Sequence, residues 1–198
     1  MKALKIAEIF YSLAGEGHRV GTPSIFVRFA ECNVGCSFCD TDYSLRRTLA
    51  TDEILQEIKQ YPCKEIVFTG GEPAMQLTEE IVQFFKDAGF YTCIETSGSL
   101  PIPSNLDYVC LSPKVSNEVL LQNFGDRAVD EIKYVMSASR SLPTPPIAAA
   151  HYFLSPQFDG GHQSSALNKA ALQHCIELCK QHPTWRLSTQ SHKFWEVR

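Results

Sequence analysis

Glu65-Ile66-Val67-Phe68-Thr69-Gly70-Gly71-Glu72-Pro73 opens as a short run rich in β-branched and aromatic residues and breaks at Thr69 into a turn with two glycines. A helix signal follows. Thr78 caps a segment in which Ile81, Val82, Phe85 and Ala88 share one face, and Gly89 closes it before a second β-rich run at 91–95. The alternation extends both ways. Upstream, 6–12 and 24–30 read as strands around a glycine-rich turn holding Gly15, Gly17 and Gly21. Thr51 then caps a helix to about Tyr61, stopped by Pro62. Downstream, 107–112, 131–136, 151–154 and 185–189 read as strands, with a helix over 167–181 before the last. Strands alternating with helices predict an α/β fold with a mainly parallel sheet and active-site loops at the C-terminal ends of its strands.

The chain has 198 residues, 44% hydrophobic and 20% charged, enough for one core, so a single domain over 1–198 is expected. It is too short for a complete eight-unit barrel. The net charge of -4 and the lack of a basic stripe argue against a nucleic-acid surface and favour a small-molecule substrate. No apolar stretch approaches the roughly 18–20 residues that span a bilayer, so no membrane insertion is expected. Eight cysteines would suit disulfides, but Cys93 and Cys110 lie in apolar runs and Met1-Lys2-Ala3-Leu4-Lys5 lacks a signal-peptide core. Reduced thiols in the cytoplasm are the simpler expectation. No internal repeat is present, and Pro143-Thr144-Pro145-Pro146 marks an irregular loop.

Chemistry concentrates after the second strand, in Cys32-Asn33-Val34-Gly35-Cys36-Ser37-Phe38-Cys39. Three thiols in one loop suit a 4Fe-4S cluster with one iron left unligated by protein, although a structural zinc half-site uses such spacing too. The turn at Gly70-Gly71 lets the backbone approach a ligand closely, and Glu72 can accept ammonium protons there. A non-catalytic zinc or iron-sulfur module would explain the cysteines and leave Gly70 to Pro73 unexplained.

The CxxxCxxC spacing and the Gly-Gly-Glu-Pro turn together resemble the radical S-adenosylmethionine (SAM) superfamily. In those enzymes the methionyl amine and carboxylate chelate the open iron, and reductive cleavage of the sulfonium yields a 5'-deoxyadenosyl radical. The resemblance implies a partial, truncated (β/α) barrel of the radical SAM type. Further segments resemble one family, 7-carboxy-7-deazaguanine synthase. They are Ile9 to Gly17, Phe26 to Ala30, Cys39-Asp40-Thr41, Thr69 to Pro73, Glu95-Thr96-Ser97-Gly98, Ser112-Pro113-Lys114, Trp185 to Ser188 and Gln190 to Lys193. That family contracts 6-carboxy-5,6,7,8-tetrahydropterin to a deazapurine with loss of ammonia, on the queuosine pathway. A radical SAM activase, which places its radical on a partner protein, has no need of Arg28, Glu16 and Thr41 as a set.

The resemblance assigns roles residue by residue. Cys32, Cys36 and Cys39 hold the cluster, and the Thr41 hydroxyl ligates a magnesium ion that also touches substrate. SAM falls to Phe38, Cys39, Asp40, Gly71, Glu72, Ser112, Pro113, Lys114, Pro156, Gln157, Phe158 and Asp159. Arg28 takes the substrate carboxylate in its planar fork, Glu16 accepts from the pterin edge, and Thr69 and His192 make further contacts. Leu13, Ala14 and Gly15 offer backbone groups, and the main chain of Arg198 reaches the substrate. A reductant such as flavodoxin or ferredoxin and a homodimer are implied as well. Three places depart from the family pattern: Ala14 for glutamine, Glu31 for glycine, and the Ser155-Pro156-Gln157 order. Cys175, Cys179 and His182 share a helical face and are read as packing residues, with Cys63, Cys93 and Cys110.

Overall fold

The computed structural model describes residues 3–159 and 166–198, so the Met1-Lys2 part of the N-terminal reading lies outside the described residues. Among the described residues nine strands form one sheet: β1 (Leu4–Leu13), β2 (Pro23–Phe29), β3 (Arg47–Leu49), β4 (Glu65–Gly70), β5 (Tyr91–Thr96), β6 (Tyr108–Leu111), β7 (Val129–Met136), β8 (Ala149–Pro156) and β9 (Trp185–Leu187). Their order is β3-β1-β2-β4-β5-β6-β7-β8-β9. From β2 to β9 every neighbouring pair is parallel, whereas β1 runs antiparallel to both β2 and β3. The sheet does not close, since β3 and β9 remain as edges. This is the α/β, partial-barrel architecture that the alternation and the family resemblance imply.

Helices α1 (Thr51–Ile58), α2 (Glu79–Asp87), α3 (Asn117–Phe124) and α4 (Lys169–Gln181) fill most crossovers, and a short α5 (Ser191–Trp195) follows β9. Caps set their limits. The Thr78 hydroxyl accepts from Ile81 N at the start of α2, and Gly89 leaves it at φ 83°. Thr51 differs from its reading as a cap. It is the first helical residue of α1, Ala50 is the N-cap, and Glu53 reaches back to the Ala50 N–H at 2.7 Å.

A period of two divides the sheet. Ile25, Val27, Phe29, Ile66, Phe68, Ile94, Val109, Leu111, Ile132 and Tyr134 join Ile54, Val82, Phe85, Leu120 and Cys175 of the helices in one buried core. The alternate residues face the other way. There Phe10, Phe26, Val67, Cys93, Tyr108 and Cys110 form a smaller apolar floor, and the same register sends Arg28, Thr69, Glu95, Glu131 and Lys133 to that inner face. The loop between β1 and β2 crosses it. Gly17 N donates to Ser188 Oγ beyond β9, His18 N to Glu131 of β7, and Arg19 to Glu65 of β4.

Candidate active site

Two cavities open on the inner face. The larger, about 640 Å³, is walled by Glu8, Phe10, Arg28, Thr69, His192 and Arg198 among others; the smaller, about 210 Å³, by Cys32, Cys36, Cys39, Gly71, Ser112 and Lys114 among others. They meet. Glu16, Asp40, Thr41, Glu95 and Gln190 line both.

In the larger chamber the sheet register sets Arg28 beside Thr69, whose hydroxyl donates to Glu95 Oε2 at 2.9 Å. Arg28 Nε donates to Glu8 Oε1 at 2.7 Å, and its guanidinium lies over the Phe10 ring at 5.9 Å. Glu16 reaches this wall from the crossing loop. Its carboxylate accepts from Lys133 Nζ and, at 3.0 Å, from Gln190 Nε2. Burial pushes the Glu16 pKa up, but the Lys133 ammonium outweighs it and holds the carboxyl below its ordinary range. Burial alone would depress Lys133, yet the Glu16 carboxylate lifts it well above the usual lysine range. Burial also lowers His192, so that its ring is neutral near pH 7.

The smaller chamber is built where two loops are stitched together. Gly71 N donates to Phe29 O and Glu72 N to Glu31 O, pinning the turn after β4 to the chain that leads into the cysteines. A Cβ on Gly71 would stand 1.8 Å from Glu31 O, so glycine is what allows this approach. Glu31 itself has φ 72°, the left-handed region. Lys114, 6.0 Å over the Phe38 ring and donating to Ser112 Oγ, is depressed to about 8 by burial and then by Lys133.

The three thiols are free, half-buried and turned to one cavity, and Cys36 feels both Cys39 and Cys32 electrostatically. Among the described residues no three acidic, histidine or cysteine groups converge tightly enough for one metal ion. Structural zinc wants four nitrogen or sulfur ligands, and three thiols supply only three. A four-iron cluster spreads its ligands more widely, and a donor set of three thiolates suits it with one iron open.

Most sequence-assigned residues gather at these walls, but several do not. Glu72 is fully buried and lines neither chamber; its carboxylate accepts from Thr96 Oγ1 at 2.7 Å, Ser97 N at 2.9 Å, Ala74 N at 3.1 Å and Ser97 Oγ. These donors tie it to Thr96 at the end of β5, to Ser97 beyond it and to Ala74 of its own turn. Ala14 has both main-chain groups committed to Thr22 and Gly21, whereas Leu13 and Gly15 do line the larger chamber. Pro113 and Asp159 lie off both walls; Asp159 accepts from Asn168 at 2.8 Å. Thr41 Oγ1 leans on Asp40 at 3.5 Å. Arg198 O accepts from Ser12 Oγ at 2.7 Å, at the rim of the larger chamber. Lys133, Glu95 and Gln190 carry no role in the sequence reading. The first two were findable, because alternation along β7 and β5 puts a charged residue on the inner face.

The geometry agrees with the company the chain keeps. Residues 27–148, more than half of it, match the model of the Radical SAM superfamily. The chain is 39% identical over 194 residues to the 7-carboxy-7-deazaguanine synthase of Bacteroides thetaiotaomicron, covering 98% of each. It is 35% identical to that of Haemophilus influenzae, over 95% of this chain and 91% of the relative. The crystal structure of QueE from Escherichia coli is similar at a TM-score of 0.73 and 26% identity, covering 96% of this chain and 95% of that one. With cysteine loop, glycine turn and strand-end chambers arranged on a partial barrel, the chain belongs to the radical SAM superfamily and, within it, to the 7-carboxy-7-deazaguanine synthase family.

Proposed function

We propose that the protein is a lyase that converts 6-carboxy-5,6,7,8-tetrahydropterin to 7-carboxy-7-deazaguanine with loss of ammonia, within one domain over 1–198. The observation that carries this reading is the shared wall. A chamber bearing three thiols shares Glu16, Asp40, Thr41, Glu95 and Gln190 with one bearing Arg28, so a radical made in the first arises next to a substrate in the second. When bound at Cys32, Cys36 and Cys39, a 4Fe-4S cluster with SAM would supply a 5'-deoxyadenosyl radical.

The protein's own groups do the holding. With Nε committed to Glu8, Arg28 offers the terminal nitrogens of its fork to the substrate carboxylate. Glu16, kept ionised by Lys133, accepts N–H groups of the pterin edge. The Thr69 hydroxyl and the neutral His192 ring complete the polar frame, while Phe10 and Phe26 supply an apolar surface for a flat ring. Lys114 stands in the smaller chamber for the SAM carboxylate, beside Gly71, Phe38 and Gln157. Thr41, on both walls, is the foothold for a magnesium ion shared with substrate. An electron donor of the flavodoxin or ferredoxin type, a homodimer and a cytoplasmic setting complete the reading. Among the described residues no helix is long and apolar enough to cross a membrane.

The test is anaerobic turnover of the reconstituted protein with the carboxypterin, SAM and dithionite, followed by mass spectrometry. A product lighter than substrate by ammonia is expected, with a rate that rises on adding magnesium in wild type and not in Thr41→Ala. SAM cleavage without that product overturns the substrate, and full turnover of chelator-treated wild type overturns the metal.

A further inference from the structure

Where the chambers meet, a line of alternating charge crosses the site. Lys133 Nζ donates to Glu16, Gln190 Nε2 donates to Glu16 Oε1 at 3.0 Å and to Asp40 Oδ2 at 2.9 Å, and Lys193 Nζ donates to the same Asp40 oxygen at 2.8 Å. Gln190 is its neutral centre. Glu16 and Asp40 each accept from a lysine ammonium on one side and from the Gln190 amide on the other. Carboxylates that take lysine ammoniums act as acceptors, so the amide turns its NH2 toward both, and its oxygen is forced the other way. That oxygen is buried. Among the described residues, Gln190 Oε1 and Asn105 Oδ1 are the buried side-chain polar atoms with no hydrogen-bond partner, and Asn105 lines neither chamber.

We propose that Gln190 is a substrate-positioning residue, whose Oε1 accepts an N–H from the heteroaromatic substrate while its NH2 fixes the spacing of Glu16 and Asp40. This rests on the pterin reading of the larger chamber. A buried acceptor without a partner is costly, and an N–H donor arriving with the ligand removes that cost. The substrate is favoured over SAM by how Gln190 is anchored. Ser191 N, next in the chain, donates to Gly15 O, and Gly15 and His192 line the larger chamber alone. Through Asp40, adjacent to Cys39, the same amide ties the substrate wall to the cysteine loop.

Gln190→Met removes both donor and acceptor at similar length, and Gln190→Glu keeps the shape but sets a third carboxylate between two others. Each is compared with wild type as anaerobically reconstituted holoenzyme, by calorimetric affinity for the carboxypterin with SAM present, affinity for SAM alone, and iron content. The expected result is a pterin affinity weakened about tenfold or more, the scale of one lost hydrogen bond, with SAM affinity and iron within about twofold of wild type. Should Gln190→Met fail to fold, the isosteric Gln190→Glu carries the comparison. Unchanged pterin affinity in a folded variant overturns the role, and so does a parallel fall in SAM affinity or iron, which would mark Gln190 as support for the cysteine loop only. Wild type that binds no carboxypterin overturns the reading of the larger chamber and this role with it.

Discussion

Lys133 sits in β7 with 7% of its surface exposed, where an ammonium survives only with a partner. Its partner is Glu16. The Glu16 carboxyl is lowered from 4.5, so its contribution to stability is present above that value and lost as pH falls through the folded value. Lys133 is raised from 10.5, so its contribution is present below that and lost as pH rises through the folded value. The pair therefore supports the fold across the window between 4.5 and 10.5. Lys133→Met strands a buried carboxylate and should cost about 3–5 kcal/mol at pH 7. With only Gln190 and His192 left to oppose burial, Glu16 rises, so the deficit should shrink as pH falls and the carboxyl protonates. Adding Glu16→Gln should restore part of the loss. Denaturant titrations at several pH values check all three statements; a Lys133→Met deficit that does not change with pH would show that Glu16 is not the group left stranded. The family resemblance supplied Glu16; alternation along β7 could have placed Lys133 on the inner face, but its pairing with Glu16 depends on a loop that crosses from the far side of the sheet.

At the scale of elements, the turn after β4 and the chain leaving β2 are the stitched seam of the site. Gly71→Ala would drive a methyl group into Glu31 O, and the two nearest atoms there are backbone, which gives way only by moving the seam. Stability should fall by about 1–3 kcal/mol, as for other overpacked positions, and SAM affinity with it, since Gly71 lines the smaller chamber. A thermal melt matching wild type would show that the seam is loose. Glu31 gives the opposite case. At φ 72° a glutamate is strained, and the family pattern has glycine here, so Glu31→Gly should gain up to about 1 kcal/mol, the left-handed cost less the entropy of glycine and the exposed Lys5 pairing. The longer elements were legible because each carries its period and its caps. Three were not. β3 is three residues, Arg47 to Leu49, made by pairing with β1 rather than by pattern. α3 buries only Leu120 and Phe124, too few to mark a helical face. α5 buries none, and its reason lies in polar contacts with residues far away in sequence.

Across the whole molecule, the site joins both ends of the sequence order: the loop after β1 crosses under the sheet, and the segment after β9 closes from the other side. The alternating pattern gave the parallel sheet and strand-end loops, but not the antiparallel β1 or the crossing loop, since pairing direction is decided by long-range contacts. α5 and its flanks bury no core residue, yet Gln190, His192, Lys193 and Arg198 all face the larger chamber. Its work is polar, so removing it should spare the sheet. A chain ending at Thr189 keeps Trp185 packed against Tyr134 and Tyr152, and with it the β8–β9 edge. It loses the Ser191–Gly15 bond, the Lys193–Asp40 pair and the Arg198–Ser12 contact. The expected outcome is a near-native far-ultraviolet circular dichroism spectrum, a carboxypterin affinity weakened about a hundredfold or more from several lost polar contacts, and a smaller effect on SAM. Hydrogen exchange should quicken in the crossing loop around Gly15 and the cysteine loop around Asp40, while β4 and β5 stay protected. If the shortened chain unfolds, the segment after β9 supports the sheet as well as the site; if it binds the carboxypterin as well as the full chain does, that segment is not the wall of the larger chamber.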